Sequence, residues 1–398
     1  MRDRGHRRSV HATKAVAAVT LALALFAGAA LPAWAADSMT LTFVRHAQSE
    51  GNASGDTTDD DPDLTALGHQ QAEAIAQVLK NGNAVGAYDG IFASSLVRTQ
   101  QTARPIAAQI LGKASDAVTI GNGPDNDVVV VPGIREINQG SLGGLPERAA
   151  GLVYLIAGIQ WVFGNRYARI PGSEDGNEFD ARMDEGLQEI YDSGDRNALA
   201  VSHAAAMMFW VMMNVDNPNP LLIVTNPLDN TSLVVITGNP EDGWHLQNWN
   251  GVEQSAEPSL PSKLIVDTRT FVIKSADSIN AIVGSIASGN LPAIANSVRD
   301  GAISIATAAV EFGSAVVRDV VDEVHGRLGI PTPAASAMTG KSNTAKALTD
   351  TPTPAPKKTA GSSGKRDRSG PDKTGSHTGR KAPDAKGNGG TARTKRAA

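Results

Sequence analysis

The chain has 398 residues, room for about two domains; 41% are hydrophobic and none is cysteine. That combination excludes wholesale disorder, a disulfide framework, a zinc ribbon and a cysteine nucleophile. The net charge of -5 hides basic ends around an acidic body: residues 1–14 hold five Arg/Lys against one Asp, and residues 351–398 hold twelve against three. No nucleic-acid partner is expected of such a body.

In chain order, residues 1–35 read as an export signal. Arg2, Arg4, Arg7, Arg8 and Lys14 precede an uncharged run over 15–31, and Pro32 leads into the small-residue cleavage site Ala33-Trp34-Ala35. An uncleaved membrane anchor is the competing reading. Export predicts a secreted or envelope-associated bacterial protein that relies on its core, because it has no disulfides.

The body, residues 37–252, alternates short β-rich runs with helical patterns, which predicts an α/β fold: a doubly wound, mostly parallel sheet flanked by helices. Strands are expected at Met39–Val44, Gly90–Ala93, Val128–Val131, Ala198–Ser202 and Leu233–Thr237. Helices are expected at Leu64–Lys80, Leu96–Leu111, Glu178–Tyr191 and Ala204–Met213. Residues 264–329 show amphipathic helical spacing and predict a hairpin packed on the body or on a second subunit, with attachment to a membrane or envelope as the alternative. From residue 331 to 398 the chain is aperiodic and rich in Pro, Thr and Lys, the composition of a disordered tail whose positive charge could touch an anionic cell envelope. Gly340-Lys341-Ser342 resembles the end of a phosphate-binding loop, but Ala335 stands where its first glycine belongs.

Ligands of open α/β sheets bind beyond the carboxyl ends of the strands. The expected strands end in Val44-Arg45-His46, in Ser94-Ser95-Leu96-Val97-Arg98 and in Val201-Ser202-His203. The body holds only eleven Arg/Lys against 27 Asp/Glu, so two arginines at strand exits run against its overall charge. With two histidines they suit a dianion such as a phosphoryl group, and the expected partner is a small phosphorylated substrate.

Six blocks in order extend that pattern. They are Arg45-His46-Ala47-Gln48-Ser49 with Asn52, Leu64-Thr65-x-x-Gly68-x-x-Gln71-Ala72, and Ser94-Ser95-x-x-Arg98-Thr99-x-x-Thr102-Ala103. Arg135-Glu136-Ile137-x-x-Gly140, Pro171-Gly172-Ser173-Glu174 and Val201-Ser202-His203 complete them. In these the chain resembles the histidine phosphatase superfamily, in its phosphoglycerate mutase-like branch. The resemblance implies His46 as nucleophile, forming a phosphohistidine. It implies Arg45, Asn52, Arg98 and His203 as phosphate-binding residues, with Arg45, Arg98 and His203 also stabilising the charge of transfer. Glu136 would be the proton donor and acceptor. No metal and no cofactor are implied.

The chain departs from the family pattern in places. Ala47 replaces a glycine and Gln48 a glutamate, and Ala204 stands where acid phosphatases of the other branch carry aspartate, which favours Glu136 as the acid. Ile137, Asn138 and Gln139 stand where mutases usually show arginine and tyrosine, which favours hydrolysis over mutase chemistry. The expectation is an exported phosphomonoester hydrolase, with a mutase or a catalytically silent phosphate-binding module as alternatives. His69 is expected on an exposed helix face, and Trp244 and His245 in packing. Asp56 and Asp59–Asp61 are expected in a solvated acidic loop. Leu155, Trp161 and Phe163 are expected either to line the leaving-group side or to pack.

Overall fold

The structure, a computed structural model, describes residues 38–55, 59, 61–82, 88–142 and 147–329. The expected signal, residues 1–35, and the expected tail, residues 331–398, lie outside them.

Eight strands form one mixed sheet: β1 (Met39–Arg45), β2 (Gly90–Ala93), β3 (Ile120–Gly121), β4 (Val128–Val130), β5 (Asn197–Ser202), β6 (Leu233–Asn239), β7 (Gly243–Trp249) and β8 (Val252–Glu253). Their order is β3-β4-β2-β5-β1-β6-β7-β8. The five strands from β3 to β1 pair in parallel, and β6, β7 and β8 extend the sheet antiparallel. The fold is therefore the expected α/β class, with an antiparallel edge.

Both faces of the parallel region are covered, which is why its strands read as almost unbroken apolar runs. Side chains alternate between two cores. Leu41, Phe43, Ala198 and Ala200 enter the larger core, and Val44, Leu199 and Val201 the smaller one. The smaller core is closed by α2 (Ala66–Gly82) and α3 (Val97–Leu111) through Ile75, Ala76, Leu79, Ala103, Ile106 and Ala107. The larger is closed by α4 (Glu147–Val162), α5 (Gly176–Asp192) and α6 (Ala204–Asn214). The short helices α1 (Glu50–Ser54) and α7 (Leu222–Thr225) sit in loops after β1 and before β6.

Strands β3, β7 and β8 and helix α4 carry no pattern legible in the sequence. In β7, Trp244, Leu246 and Trp249 are buried, but His245, Gln247 and Asn248 interleave them and a bulge in the β6 pairing breaks the alternation. Strands β3 and β8 have two residues each, too few to show a period. Helix α4 is apolar nearly all round, so it carries no amphipathic stripe to recognise.

The expected helical segment is a hairpin of α8 (Leu260–Ala287) and α9 (Leu291–Leu328). Phe271 and Phe312 meet across it with ring centroids 5.4 Å apart, and Ser278 bonds Ser304 at 3.0 Å. Helix α8 packs on the body. Its buried Arg269 donates to the carbonyls of Met212 (3.0 Å) and Val215 (3.2 Å) at the end of α6, and Tyr167 Oη donates to Asp277 at 2.9 Å. Gly164, at φ +99°, leaves room for this close approach: a Cβ there would lie 2.6 Å from the Arg269 carbonyl. Helix α9 lies on the far side of the hairpin, and among the described residues it is the helix long and apolar enough to cross a membrane.

Candidate active site

Strand order alone brings the candidate residues together. β5 lies between β2 and β1, with Ala93 and Val44 both opposite Val201. The three strand exits carrying Ser94, His203 and His46 are therefore neighbours. His46 N donates to Ser202 O at 3.0 Å and Ser94 N to Val201 O at 3.0 Å, and the rings of His46 and His203 stand with centroids 5.1 Å apart.

His46 is buried, and its Nδ1 lies 2.7 Å from the Ala47 carbonyl. A carbonyl only accepts, so Nδ1 carries the proton and Nε2 keeps its lone pair. Burial, then the guanidinium groups of Arg98 and Arg45, lower its pKa from 6.5 to about 3. The ring is thus uncharged and of defined tautomer. His203 is fully buried and is likewise held well below its ordinary pKa, first by burial, then by His46 and Arg98. Its Nε2 is 2.7 Å from Ser94 Oγ, which also meets Thr99 Oγ1 at 2.9 Å. Its Nδ1 is buried with no hydrogen-bond partner among the described residues. Such an orphan costs about 1–3 kcal/mol, which a bound oxyanion could relieve.

Arg45 donates from Nη1 to Leu228 O at 2.6 Å. Arg98, on the first turn of α3, is buried with Nη1 3.6 Å from Asp61. Asn52 lies in α1, whose N-cap Ser49 forms a capping box with it. Its Oδ1 accepts from Ser49 N (3.4 Å) and from Asn230 Nδ2 (3.0 Å), which leaves its amide NH₂ as a donor. Asn230 Nδ2 also bonds the His46 carbonyl at 3.1 Å. Sequence reasoning misses Asn230, which stands alone before β6 in no recognisable motif.

Glu136 reaches the site from the loop after β4. Its Oε1 accepts from Ile137 N (3.0 Å) and Ala206 N (2.9 Å), and its Oε2 from Ala205 N (3.2 Å). The carboxylate therefore sits on the positive end of α6, immediately after His203. A buried lock holds its loop. Arg182 pairs twice with Glu174 at 2.7 Å and donates to the carbonyls of Gly133 (2.7 Å) and Arg135 (2.9 Å). Ser202 Oγ adds a bond to Ile134 O at 2.8 Å. Glu174 belongs to one of the sequence motifs, but Arg182 does not: its place inside α5 resembles that of any exposed helical arginine.

Other motif residues build the frame. Thr102 Oγ1 accepts from Ala47 N at 3.0 Å and donates to Arg98 O at 2.7 Å, tying the segment after β1 to the start of α3. Thr65 Oγ1 accepts from Gly68 N at 2.9 Å, and a Cβ on Gly68 would lie 2.0 Å from the Gln48 carbonyl. The acidic loop is more than solvated surface. Asp61 Oδ1 accepts from Val97 N at 2.8 Å, capping α3 beside Arg98, and burial raises its pKa. Asp56 and Asp60 lie outside the described residues. His69 is exposed. His245 bonds Asp216 at 2.7 Å, which raises its pKa and ties β7 to the segment after α6. Trp161 is fully buried, stacks on Phe179 and donates to Ala168 O at 2.6 Å, so it packs; Leu155 packs against the same core, while Phe163 is partly exposed. Among the described residues no group of three or more His, Asp or Glu side chains is arranged to hold a metal ion.

The model of the histidine phosphatase superfamily (branch 1) matches residues 41–251. A PE-PGRS family protein of Mycobacterium tuberculosis is 41% identical over 302 residues, covering 72% of this chain and 49% of that protein. A 2,3-bisphosphoglycerate-dependent phosphoglycerate mutase of Bartonella tribocorum is 35% identical over 107 residues, 27% of this chain and 46% of that one. The chain thus spans about half the length of the curated relatives it matches. Among solved structures, a mycobacterial glucosyl-3-phosphoglycerate phosphatase is 23% identical with a TM-score of 0.41, covering 54% of this chain and 99% of that one. A phosphoserine phosphatase of Entamoeba histolytica is 22% identical with a TM-score of 0.40, covering 53% and 96%.

Proposed function

The chain belongs to the histidine phosphatase superfamily, branch 1, and from that premise we propose that it is an exported phosphomonoester hydrolase acting through a phosphohistidine on His46. The observation that carries this reading is the hydrogen bond from His46 Nδ1 to the Ala47 carbonyl. It leaves a neutral Nε2 beside His203 and within the field of Arg45 and Arg98.

In the first step Nε2 attacks phosphorus, the N–P bond forms as the ester P–O bond breaks, and Glu136 gives its proton to the departing alcohol oxygen. In the second, the Glu136 carboxylate takes a proton from water, the water oxygen attacks phosphorus, and the N–P bond breaks to release phosphate and restore His46. Arg45 and Arg98 supply the positive charge that the transition state needs, and neutral His203 and the Asn52 amide add hydrogen bonds to the phosphoryl oxygens. The likeness to a phosphoglycerate mutase supports phosphotransfer between carbons as the second reading. Against it, Ile137 is buried and the carbonyl of Asn138 is taken by Ser173 Oγ at 2.6 Å, so the two residues after Glu136 bring no cation to a second phosphate. The basic, apolar leader over residues 1–35 supports export.

The test is hydrolysis of p-nitrophenyl phosphate by the purified protein with EDTA present, beside His46→Ala. Turnover in the wild type and its loss of at least a thousandfold in the variant are expected. An active His46→Ala protein would refute the nucleophile. A wild type that is inactive until a bisphosphorylated primer is supplied would favour the mutase.

A further inference from the structure

Three contacts run in series behind His203. Its Nε2 lies 2.7 Å from Ser94 Oγ, Ser94 Oγ lies 2.9 Å from Thr99 Oγ1, and Thr99 Oγ1 lies 2.6 Å from the Leu96 carbonyl. His203, Ser94 and Thr99 are fully buried, so the protons of these contacts come from the three side chains themselves. A carbonyl only accepts, so the Thr99 hydroxyl proton points at Leu96 O, with Ser94 O as a second acceptor at 3.0 Å. Thr99 then has no proton to give Ser94, and the Ser94 hydroxyl must donate to it. That leaves the Ser94 oxygen as an acceptor toward His203, and it also receives the Leu96 amide at 3.3 Å. The ring proton of His203 therefore sits on Nε2. In the reverse setting, with Ser94 donating to Nε2, the two hydroxyl oxygens would face each other at 2.9 Å with no proton between them.

The two histidines are thus held in opposite tautomers. The Ala47 carbonyl fixes the proton of His46 on Nδ1, and the Leu96 carbonyl, through two hydroxyls, fixes that of His203 on Nε2. With Nε2 engaged, the nitrogen His203 has left for a ligand is Nδ1, a bare lone pair on a buried atom with no partner among the described residues. The ring carries no charge of its own beforehand, because burial, His46, Arg98, Arg182 and Arg45 all hold it neutral. The neighbouring carboxylates are engaged elsewhere. Glu136 lies on the amides of Ala205 and Ala206, Glu174 on Arg182, and Asp61 on the Val97 amide beside Arg98. The three oxygens of a phosphoryl dianion also offer only lone pairs, so one of them can meet Nδ1 only with a proton between them.

From this we infer that Ser94 and Thr99 are positioning residues that set the tautomer of His203, and that the site therefore takes a phosphoryl group together with one proton, shared between His203 Nδ1 and a phosphoryl oxygen. The inference rests on the phosphoryl site proposed above. Below about pH 6, where the second ionisation of a phosphomonoester falls, the substrate brings that proton itself as the monoanion. At higher pH the proton is drawn from solution, and affinity falls about tenfold for each pH unit. The form of the substrate that the site selects is the monoanion.

Phenylphosphonate, whose carbon–phosphorus bond is not hydrolysed, serves as the probe. It is titrated calorimetrically into the full chain at a pH where the free ligand is a dianion, in two buffers of different ionisation enthalpy. Uptake of about one proton per ligand is expected, and the same in Glu136→Gln, which removes that carboxyl as the group taking it up. Thr99→Val withdraws the acceptor of the Ser94 proton, so Ser94 turns to donate to Nε2 and the ring proton moves to Nδ1. Uptake should fall to near zero in this variant and return in Thr99→Ser. Nitrogen-15 NMR of the histidine-labelled chain reads the tautomer without any ligand: the resonances lost in His203→Gln should show a protonated Nε2 and an unprotonated Nδ1. A protonated Nδ1 in the wild type, binding without proton uptake, or an uptake unchanged in Thr99→Val overturns the inference and leaves the phosphoryl site standing. A wild type that does not bind phenylphosphonate overturns both.

Discussion

Replacing Arg182 with methionine strikes the lock beneath the Glu136 loop. The guanidinium makes two 2.7 Å bonds to Glu174, with side-chain exposures of 14% and 9%, and two more to the carbonyls of Gly133 and Arg135. Methionine preserves most of the side chain's volume, so the loss is that of one charge from a buried pair. Removing one partner of such a pair costs about 3–5 kcal/mol, because the other is left buried and uncompensated, whereas an exposed pair contributes about 0–1 kcal/mol. The second partner to the Glu174 carboxylate, Arg135 at 3.9 Å, is too distant to replace the fork. Urea unfolding followed by tryptophan fluorescence should therefore show a loss near ~4 kcal/mol in Arg182→Met, and most of it should return in the double variant Arg182→Met/Glu174→Leu. Turnover of p-nitrophenyl phosphate should fall by about tenfold or more in both, since the carbonyls of Gly133 and Arg135 lose their tether and Glu136 drifts. A cost below about 1 kcal/mol, or a double variant no more stable than the single, would refute the lock.

Stability should also fall on acidification below pH 6.5. Both buried histidines are depressed, so the unfolded chain takes up protons near pH 6.5 while the folded one holds His46 neutral to about 3. Each contributes a loss of about 1.4 kcal/mol per pH unit through that window. Melting temperatures from pH 7.5 to 5 should decline, with a shallower slope in His203→Gln, and an equal slope in the variant would count against the assignment. If the leader is an export signal, the N-terminal sequence of protein recovered from culture medium should begin at Ala36; retention of Met1 would refute cleavage.

The inner parallel strands β1, β2, β4 and β5 are legible in the sequence because burial on both faces turns them into nearly unbroken apolar runs, and β1, β2 and β5 are followed by residues whose chemistry is out of keeping with an acidic body. The structure brings Arg45, His46, Arg98 and His203 together through the pairing of β2, β5 and β1, and Glu136 through the amides of α6. The parts that cannot be read are those whose meaning is purely spatial. Asn230 reaches back 184 residues to the His46 carbonyl, and Arg182 supports a loop 47 residues away. Neither has a local pattern. Asp61 reads by its charge as surface, yet what fixes it is the free amide at the start of α3, which no composition reveals. Strand β7 fails the test of alternation for a different reason: its bulge shifts the period midway.

Helix α6 ties the two ends of the molecule. Glu136 meets the amides at its start and Arg269 the carbonyls at its finish, so each terminus of the rod is neutralised by a charge from a different segment. The family likeness stops at residue 251, but the cooperative unit does not. A chain shortened to the catalytic module would keep every residue of the pocket and yet uncover the far end of the helix that begins just after His203. For this protein the end of the family match and the end of the packed structure fall in different places, and the helical hairpin beyond the sheet is part of the foundation of the site.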